Sequence, residues 1–433
     1  MSDSLHLDLE RHTLDNGLRV VLHRDPRLPL VAVNLWYHVG SKNERPGRTG
    51  FAHLFEHLLF QGSRNVDTNG HFRMIQQVGG VANGSTWYDR TNYYETLPSS
   101  HLDLGLWLES DRMGFYLDAI TQEKLDNQRS VVINERRQRV DNQPYGRANE
   151  ILFEMLFPEG HPYRWPVIGY IEDLEAASLD MVKAFFETYY TPSNAVLTVA
   201  GDIDYDDTLG RVERYFGEIP RGPEVPRPAI EPVRLGGEKR RTMKDRVSLP
   251  RVYLAAHAPR YGQTSWYAGD LLATVLTYGR SSLLYQDLVM DRHLAQQLTC
   301  YIQPTESASC FVVVATAAPG VEPRRLEDEI RRHLGSVAGG VEPERLERAR
   351  NLLTTAFYEG LQSLGDRADE LSKFATYFDA PEAVAEEPRR YDDLDGGQLR
   401  DFARDFLAPE QLAVLTVEAD TGADAGGAGG GSR

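Results

Sequence analysis

The sequence predicts an α+β protein made of two tandem homologous domains, each with a mainly antiparallel sheet packed with helices. The pentamer Ala-Val-Leu-Thr-Val occurs at residues 195–199 and again at residues 413–417. Each copy follows a similar helical segment and a proline, Pro192 in the first copy and Pro409 in the second. A helix, a proline and a strand that recur in the same order indicate a duplicated architecture.

A proline-rich segment separates the two predicted domains. Prolines crowd into this segment and a Gly-Gly pair follows them, which is typical of a stiff, extended connector. We therefore predict a first domain over residues 1–219, a linker over 220–240 and a second domain over 241–420. The remaining residues, 421–433, are rich in Gly and Ala and are predicted to form a disordered tail.

The order of elements in the first domain follows from its hydrophobic pattern. Residues 18–23 and 30–39 are predicted to be strands, and residues 84–97 alternate as one further strand rich in Thr, Trp and Tyr. An apolar helix precedes this third strand and is predicted to end at Gly62. Helices then dominate, including one over residues 121–140, before the closing strand.

Composition excludes several classes of function. The chain has 433 residues with 64 acidic and 47 basic side chains, a net charge of −17, which argues against a nucleic-acid partner. No apolar run approaches the roughly 20 residues of a membrane span. The N-terminus is polar and acidic, unlike a secretory signal, so we expect a cytoplasmic protein. Cys300 and Cys310 are predicted to be free thiols, with pairing across a turn as the alternative.

The most informative motif is H-x-x-E-H, formed by His53, Glu56 and His57 within an apolar helix. Two imidazoles at i and i+4 lie one helical turn apart, so both reach a single metal ion from one face. The carboxylate of Glu56 lies beside them and is placed to act as a base. Burying these groups is costly unless a metal such as zinc compensates them. The alternative is two partly buried histidines with a chance glutamate.

A catalytic zinc needs a third protein ligand, and Glu135 is the best candidate. It lies on the inward side of the predicted helix over residues 121–140. The alternative is an i,i+4 pair between Glu135 and Arg139, a common way to satisfy a helix surface. The H-x-x-E-H motif favours the metal interpretation, because two histidines and one glutamate form a hydrolytic zinc site.

These residues resemble the pitrilysin family of inverted-zincin metallopeptidases. The resemblance rests on the H-x-x-E-H helix and on a ligand glutamate at the family's spacing, in the segment 129–135. It also rests on the strand Asn83-Gly84-Ser85-Thr86 and on the duplicated domain, so it spans nearly the whole chain. It implies that the two domains form one half of a peptidase clamshell around a peptide-degrading chamber.

The resemblance also implies the roles of individual residues. One Zn²⁺ per chain would be bound by His53, His57 and Glu135, with Glu56 as general base. The strand Asn83, Gly84, Ser85 and Thr86 would bind the backbone of an extended peptide substrate by edge pairing.

Two departures from the family pattern matter. Gln128 replaces an auxiliary glutamate, so we expect the zinc site to be tuned differently but retained. Val289 and Gln296 stand where active members need an Arg and a Tyr that grip the substrate. Arg260 and Tyr267 have the right spacing but precede the relevant helix. We therefore predict a heterodimer with a homologous subunit that carries the Arg/Tyr pair, with a homodimer as the alternative.

The sequence thus predicts a zinc-dependent endopeptidase that hydrolyses oligopeptides or small unfolded polypeptides inside a chamber formed with a second subunit. Neither nucleic acid nor membrane is an expected partner. Two alternatives are a non-catalytic structural subunit of a larger assembly and a protease dedicated to processing leader peptides. Structural relatives of this kind usually lose zinc ligands, whereas all four key residues are present in this chain.

Overall fold

The computed structural model describes residues 7–420, and the predicted tail over residues 421–433 lies outside this range. The predicted α+β class is confirmed, because helices pack against two separate sheets. Between residues 7 and 420, no helix combines the length and the hydrophobicity that a membrane span requires.

The first sheet has six strands in the order β1-β2-β6-β3-β5-β4. Its strands are β1 (Leu9–Thr13), β2 (Arg19–Arg24), β3 (Leu30–Tyr37), β4 (Val81–Thr86), β5 (Thr91–Pro98) and β6 (Ala195–Gly201). All neighbours are antiparallel except β2 and β6, which are parallel. Strand β4 is therefore an edge strand, and within the described residues only β5 pairs with it.

The second sheet has five strands in the order β7-β11-β8-β10-β9. Its strands are β7 (Lys239–Asp245), β8 (Arg251–Ala258), β9 (Ala295–Ile302), β10 (Ser309–Ala317) and β11 (Ala413–Ala419). Strand β11 pairs parallel with β7 and antiparallel with β8, as β6 pairs with β2 and β3 in the first sheet. The repeated pentamer thus forms the equivalent strand of each sheet, which confirms the duplication.

Helices cover both sheets and connect their strands. In chain order they are α1 (Phe51–Leu58), α2 (Gly70–Gln77), α3 (Leu102–Phe115), α4 (Gln122–Arg136), α5 (Ala148–Leu156), α6 (Ile171–Glu175), α7 (Leu179–Tyr189), α8 (Tyr205–Phe216), α9 (Thr264–Thr277), α10 (Pro323–Val337), α11 (Pro343–Gly360), α12 (Leu364–Phe378), α13 (Glu387–Asp392) and α14 (Gly396–Phe406). Helices α7 and α14 precede the two copies of the repeated strand, each followed by a short 3₁₀ turn that begins at a proline.

The chain forms two compact units, each made of segments that are not consecutive in the sequence. The first comprises residues 7–136, Gly160–Ile230 and Thr354–Arg389. The second comprises Arg137–Glu159, Glu231–Leu353 and the described residues from 390 onward. Helix α12 therefore belongs to the first unit, where Leu371 and Phe374 pack on Trp36 of β3. The predicted domain bounds stay a prediction.

Three predicted elements differ from the structure. Residues 84–97 do not form one strand but belong to the hairpin β4–β5, because the chain reverses at Trp87, whose N–H donates to Arg90 O. The apolar helix ends at Leu58 rather than at Gly62, which has a φ of 98°. Helix α4 ends at Arg136 and continues as a wider π-helical turn. Both strands of a hairpin alternate apolar and polar side chains in the same way. The alternating pattern therefore did not reveal the turn between β4 and β5.

Candidate metal centre

Helix α1 presents the H-x-x-E-H motif from the first unit. Its N-terminus is held by Glu44, whose carboxylate accepts hydrogen bonds from the backbone N–H groups of Gly50 and Ala52, both at 2.8 Å. Burial raises the pKa of Glu44 well above its usual range, and the two N–H donors oppose that shift. The two oxygens of this carboxyl group satisfy N–H groups that have no partner inside the helix.

One side of α1 is apolar and the other carries the motif. The buried side consists of Phe51, Ala52, Leu54, Phe55 and Leu58. The motif residues are half-buried, so the helix has a polar stripe, contrary to the expectation of a wholly apolar environment. Phe55 stacks on Tyr190 at 5.1 Å between ring centroids, and this packing fixes the rotation of α1 about its axis.

The structure brings the three predicted ligands together. Nε2 of His57 lies 3.2 Å and Nε2 of His53 lies 3.8 Å from Oε2 of Glu135. One ligand atom from each residue falls within 4.8 Å of the others. A tetrahedral zinc with bonds of about 2.0–2.1 Å places its ligand atoms roughly 3.3–3.5 Å apart. The donor set and its spacing therefore fit zinc.

The three ligand side chains are partly accessible to solvent. The side chains of His53, His57 and Glu135 are 13%, 25% and 16% exposed. A catalytic metal needs one coordination position that water or substrate can reach, whereas a structural metal is closed off by protein ligands. This degree of exposure suits a catalytic centre.

Glu56 lies beside the three ligands and has a different partner. Its Oε2 accepts a hydrogen bond of 2.7 Å from the hydroxyl of Thr86 on β4. Burial raises the pKa of the Glu56 carboxyl above its usual value, and the Thr86 hydroxyl offsets part of that rise. Glu56 is thus a half-buried carboxylate with one oxygen held in place, as a base in a hydrolytic site requires.

The four predicted substrate-binding residues lie on β4, but their side chains point in two directions. Thr86 and Gly84 face Glu56, since a Cβ at position 84 would lie 3.1 Å from Glu56 Cγ. Ser85 points the other way, with its hydroxyl donating to Oδ1 of Asn92 at 2.6 Å. The contact between Thr86 and Glu56 was not predicted, although strand alternation places Gly84 and Thr86 on one face and Asn83 and Ser85 on the other.

The structure also shows where the residues that depart from the family pattern lie. Gln128 is buried on α4, on the same helix as Glu135. Gln296 is the second residue of β9 and has an exposed side chain, and Val289 lies in the π-helical segment Tyr285–Asp291. Tyr267 is only 1% exposed and packs edge-on against Trp266, so it cannot grip a substrate from this position.

A second cluster of ionisable groups, absent from the sequence predictions, lies in the core of the first unit. His71 of α2 places Nε2 3.5 Å from Oε1 of Glu109 on α3 and 3.9 Å from Oε2 of Glu95 on β5. Arg112, one turn after Glu109, forms an ion pair with it. The local signal in the sequence is a glutamate and an arginine three residues apart, at a spacing that lets the two side chains pair on one helix.

This second cluster is neutralised without a metal. Burial, together with the charge of Glu109, raises the pKa of Glu95 well above its usual range, which favours the protonated form of Glu95. Burial and the charge of Arg112 lower the pKa of His71 well below its usual range. A neutral acid, a neutral imidazole and one ion pair carry no net charge. A divalent ion would leave a buried excess of positive charge, which is costly.

Comparison with known proteins yields matches along most of the chain. The family profile described as Insulinase (Peptidase family M16) matches residues 19–161. The profile described as Peptidase M16 inactive domain matches residues 176–353. The chain is 29% identical to the zinc protease PqqE of Helicobacter pylori over 94% of this chain and 92% of that protein. It is 30% identical to an uncharacterized zinc protease of Mycobacterium leprae over 76% and 73%.

Solved structures show the same fold. A protease from Helicobacter pylori superposes with a TM-score of 0.90 at 27% identity, over 95% of this chain and 100% of that one. The first half of the periplasmic protease PqqL from Escherichia coli superposes with a TM-score of 0.74 at 17% identity, over 96% and 93%. At the latter identity the likeness concerns the fold alone.

Proposed function

Because the chain belongs to the M16 family of peptidases, the pitrilysin family, we propose that it is a zinc-dependent endopeptidase acting on oligopeptides or small unfolded polypeptides. The observation that supports this proposal best is the convergence of His53, His57 and Glu135 next to Glu56. Three zinc-type ligands and a separate carboxylate base make up the protein's part of a hydrolytic metal site.

His53, His57 and Glu135 would hold one Zn²⁺ per chain. When bound there, zinc lowers the pKa of a coordinated water towards about 7 and polarises the carbonyl of the peptide. A zinc ion binds histidine as neutral imidazole and glutamate as carboxylate, so all three ligands must be deprotonated when the metal is bound.

Glu56 supplies the proton transfers. Its carboxylate accepts the proton of the attacking water and later delivers that proton to the departing amine. The hydroxyl of Thr86 holds Oε2, which leaves the other oxygen of Glu56 to receive the proton.

Strand β4 would bind the substrate backbone. It is the edge strand of the first sheet and offers peptide N–H and C=O groups along the side away from β5. An extended peptide that adds to such an edge forms main-chain hydrogen bonds whatever its side chains are. Asn83 and Ser85, on the strand face away from Glu56, belong to the same segment. This mode of binding suits unfolded substrates of varied sequence.

A second subunit would complete the site. Val289 and Gln296 do not provide the cationic and phenolic groups that grip the substrate in active relatives, and Tyr267 is buried. We propose a heterodimer with a homologous subunit that carries an Arg/Tyr pair, with a homodimer as the alternative arrangement. A purely structural subunit would not need a base in hydrogen-bond contact with Thr86 beside three metal-type ligands.

Replacing Glu56 with glutamine tests the function. Glu56→Gln keeps the size and the hydrogen-bond acceptor of the side chain but cannot accept a proton. We expect the variant to retain its fold and about one zinc per chain while hydrolysing a fluorogenic oligopeptide at least about 10²-fold more slowly. Zinc is measured by atomic emission on protein purified without added metal.

Glu123→Gln is the matched control, since Glu123 is exposed in the first turn of α4. Its zinc content and its rate should equal those of the unmodified chain. Full hydrolysis by Glu56→Gln would remove Glu56 as the base. Loss of zinc together with activity would instead make Glu56 a ligand.

A further inference from the structure

Two positions of the edge strand β4 touch the proposed base directly. Successive side chains of a strand point to opposite faces, so Gly84 and Thr86 share the face that meets α1. This face is held in register with α1, because Gly84 pairs with Tyr93 on β5 and the Tyr93 hydroxyl donates to Phe55 O at 3.2 Å. The segment expected to bind substrate therefore also forms one wall around Glu56.

Gly84 provides the space that Glu56 occupies. A Cβ at position 84 would lie 3.1 Å from Cγ of Glu56 and 3.2 Å from Cε2 of Phe60. Both contacts are closer than ordinary van der Waals distance, so any side chain there would push against the base or against the ring behind it. A glycine at this position leaves the Glu56 side chain undisturbed.

Thr86 holds the carboxylate of Glu56 in one orientation. Its hydroxyl lies 2.7 Å from Oε2 of Glu56 and 3.5 Å from the backbone oxygen of Ala52. A hydroxyl has one proton, and the shorter contact with the carboxylate takes it. Hydrogen bonds to a charged group are stronger than those between neutral groups, so this bond restrains the rotamer of Glu56.

We propose that Thr86 is a positioning residue for Glu56, with Gly84 supplying the space, and that its side chain does not bind the peptide. This assignment rests on the proposed function and adds a role for the Thr86 side chain to the expected backbone pairing of the strand Asn83–Thr86. The backbone of β4 binds the substrate, while the Thr86 hydroxyl and the space left by Gly84 on the same strand face orient the base. Binding and proton transfer thus depend on the same strand.

The test separates orientation of the base from binding of the peptide. Thr86→Val keeps the shape of the side chain and removes the hydroxyl, and Thr86→Ser keeps the hydroxyl. The full chain is assayed together with any subunit that co-purifies, on an internally quenched oligopeptide. Thr86→Val should lower kcat roughly 10- to 100-fold with KM and zinc content unchanged, and Thr86→Ser should restore most of the rate.

A double-mutant cycle then asks whether Thr86 acts through Glu56. In a Glu56→Gln background, Thr86→Val should cause little further loss of rate, because the group that it orients no longer accepts a proton. In that background the affinity for a fluorescein-labelled oligopeptide, measured by anisotropy, should also be unaffected by Thr86→Val. Weaker peptide binding, or an additive loss of rate, would overturn the assignment and place Thr86 in the substrate site.

Thr188→Val is the matched control, since its hydroxyl donates at the same 2.7 Å, but to the backbone oxygen of Ala184. It should leave kcat unchanged. A second readout does not depend on activity: crystal structures should show Glu56 bonded to residue 86 in the unmodified chain and in Thr86→Ser, and rotated away in Thr86→Val. An unchanged Glu56 rotamer in Thr86→Val would refute the proposal. Absence of hydrolysis by the unmodified chain would refute only the proposed function.

Discussion

Two clusters in the first unit use the same kinds of side chain and reach opposite outcomes. His53, His57 and Glu135 are partly exposed, and their ligand atoms face one another. The cluster of His71, Glu95 and Glu109 is sealed, with exposures of 5%, 0% and 0%. Ligand spacing alone would accept both as metal sites. What distinguishes them is access to water.

Arg112 is the cation of the sealed cluster. Its guanidinium is 2% exposed, pairs with Glu109 and lies 4.1 Å above the ring of Tyr93. Together with the proton on Glu95, it balances the charge of the sealed cluster. The open cluster has histidines, a carboxylate and solvent access, which suit a catalytic metal. Donor geometry therefore identifies candidates, and solvent access selects between these two clusters.

The largest expected effect is a difference in zinc content between variants of a histidine in each cluster. His53→Ala removes a metal ligand and should abolish both tight zinc binding and peptide hydrolysis, whereas His71→Ala should leave about one zinc per chain. Zinc content by atomic emission and the hydrolysis rate measure the difference. Full zinc occupancy in His53→Ala, or a second zinc that disappears in His71→Ala, would reverse the assignment of the two clusters.

The next effect concerns the two carboxyl groups of the sealed cluster. Glu109→Gln leaves Arg112 buried without its counter-ion and should lower the free energy of unfolding by roughly 3 kcal/mol or more. Near pH 5, Glu95→Gln replaces a largely protonated acid by a neutral amide of similar shape and should cost less than about 1 kcal/mol. Urea unfolding measures both, and equal losses from the two substitutions would contradict the proposed charge distribution.

The last effect is the pH dependence of stability, which builds up gradually with each pH unit. The folded-state pKa of Glu95 is raised, so its contribution is fully present below the unfolded pKa of about 4.3 and is lost as pH rises through the folded pKa. The unmodified chain should therefore lose stability relative to Glu95→Gln as pH rises above about 5, by at most about 1.4 kcal/mol per pH unit.

His71 contributes a pH dependence of the free energy of unfolding that is opposite in sign to that of Glu95. Its folded-state pKa is lowered, so its contribution is present above the unfolded pKa of about 6.5 and is lost as pH falls. Comparing urea unfolding curves of the unmodified chain, Glu95→Gln and His71→Gln between about pH 5 and 8 isolates each group. A difference between the unmodified chain and Glu95→Gln that does not change with pH would show that Glu95 is ionised in the folded protein.

Several features could be predicted from the sequence because they depend on local geometry. The 3.6-residue period of a helix places His53 and His57 on one face whatever the rest of the chain does. The repeated pentamer and the prolines before it are properties of the chain itself, and they predicted the equivalent strands β6 and β11. The α+β class followed from the same patterns.

Other features depend on contacts between distant segments, and for these only the tertiary structure decided. The approach of Glu135 to the two histidines requires α4 to pack on α1, and the bond from Thr86 to Glu56 requires the turn between β4 and β5. The sealed cluster combines residues from two helices and a strand. Sequence patterns report which face of an element is apolar, whereas distances across a core depend on how whole elements pack against one another.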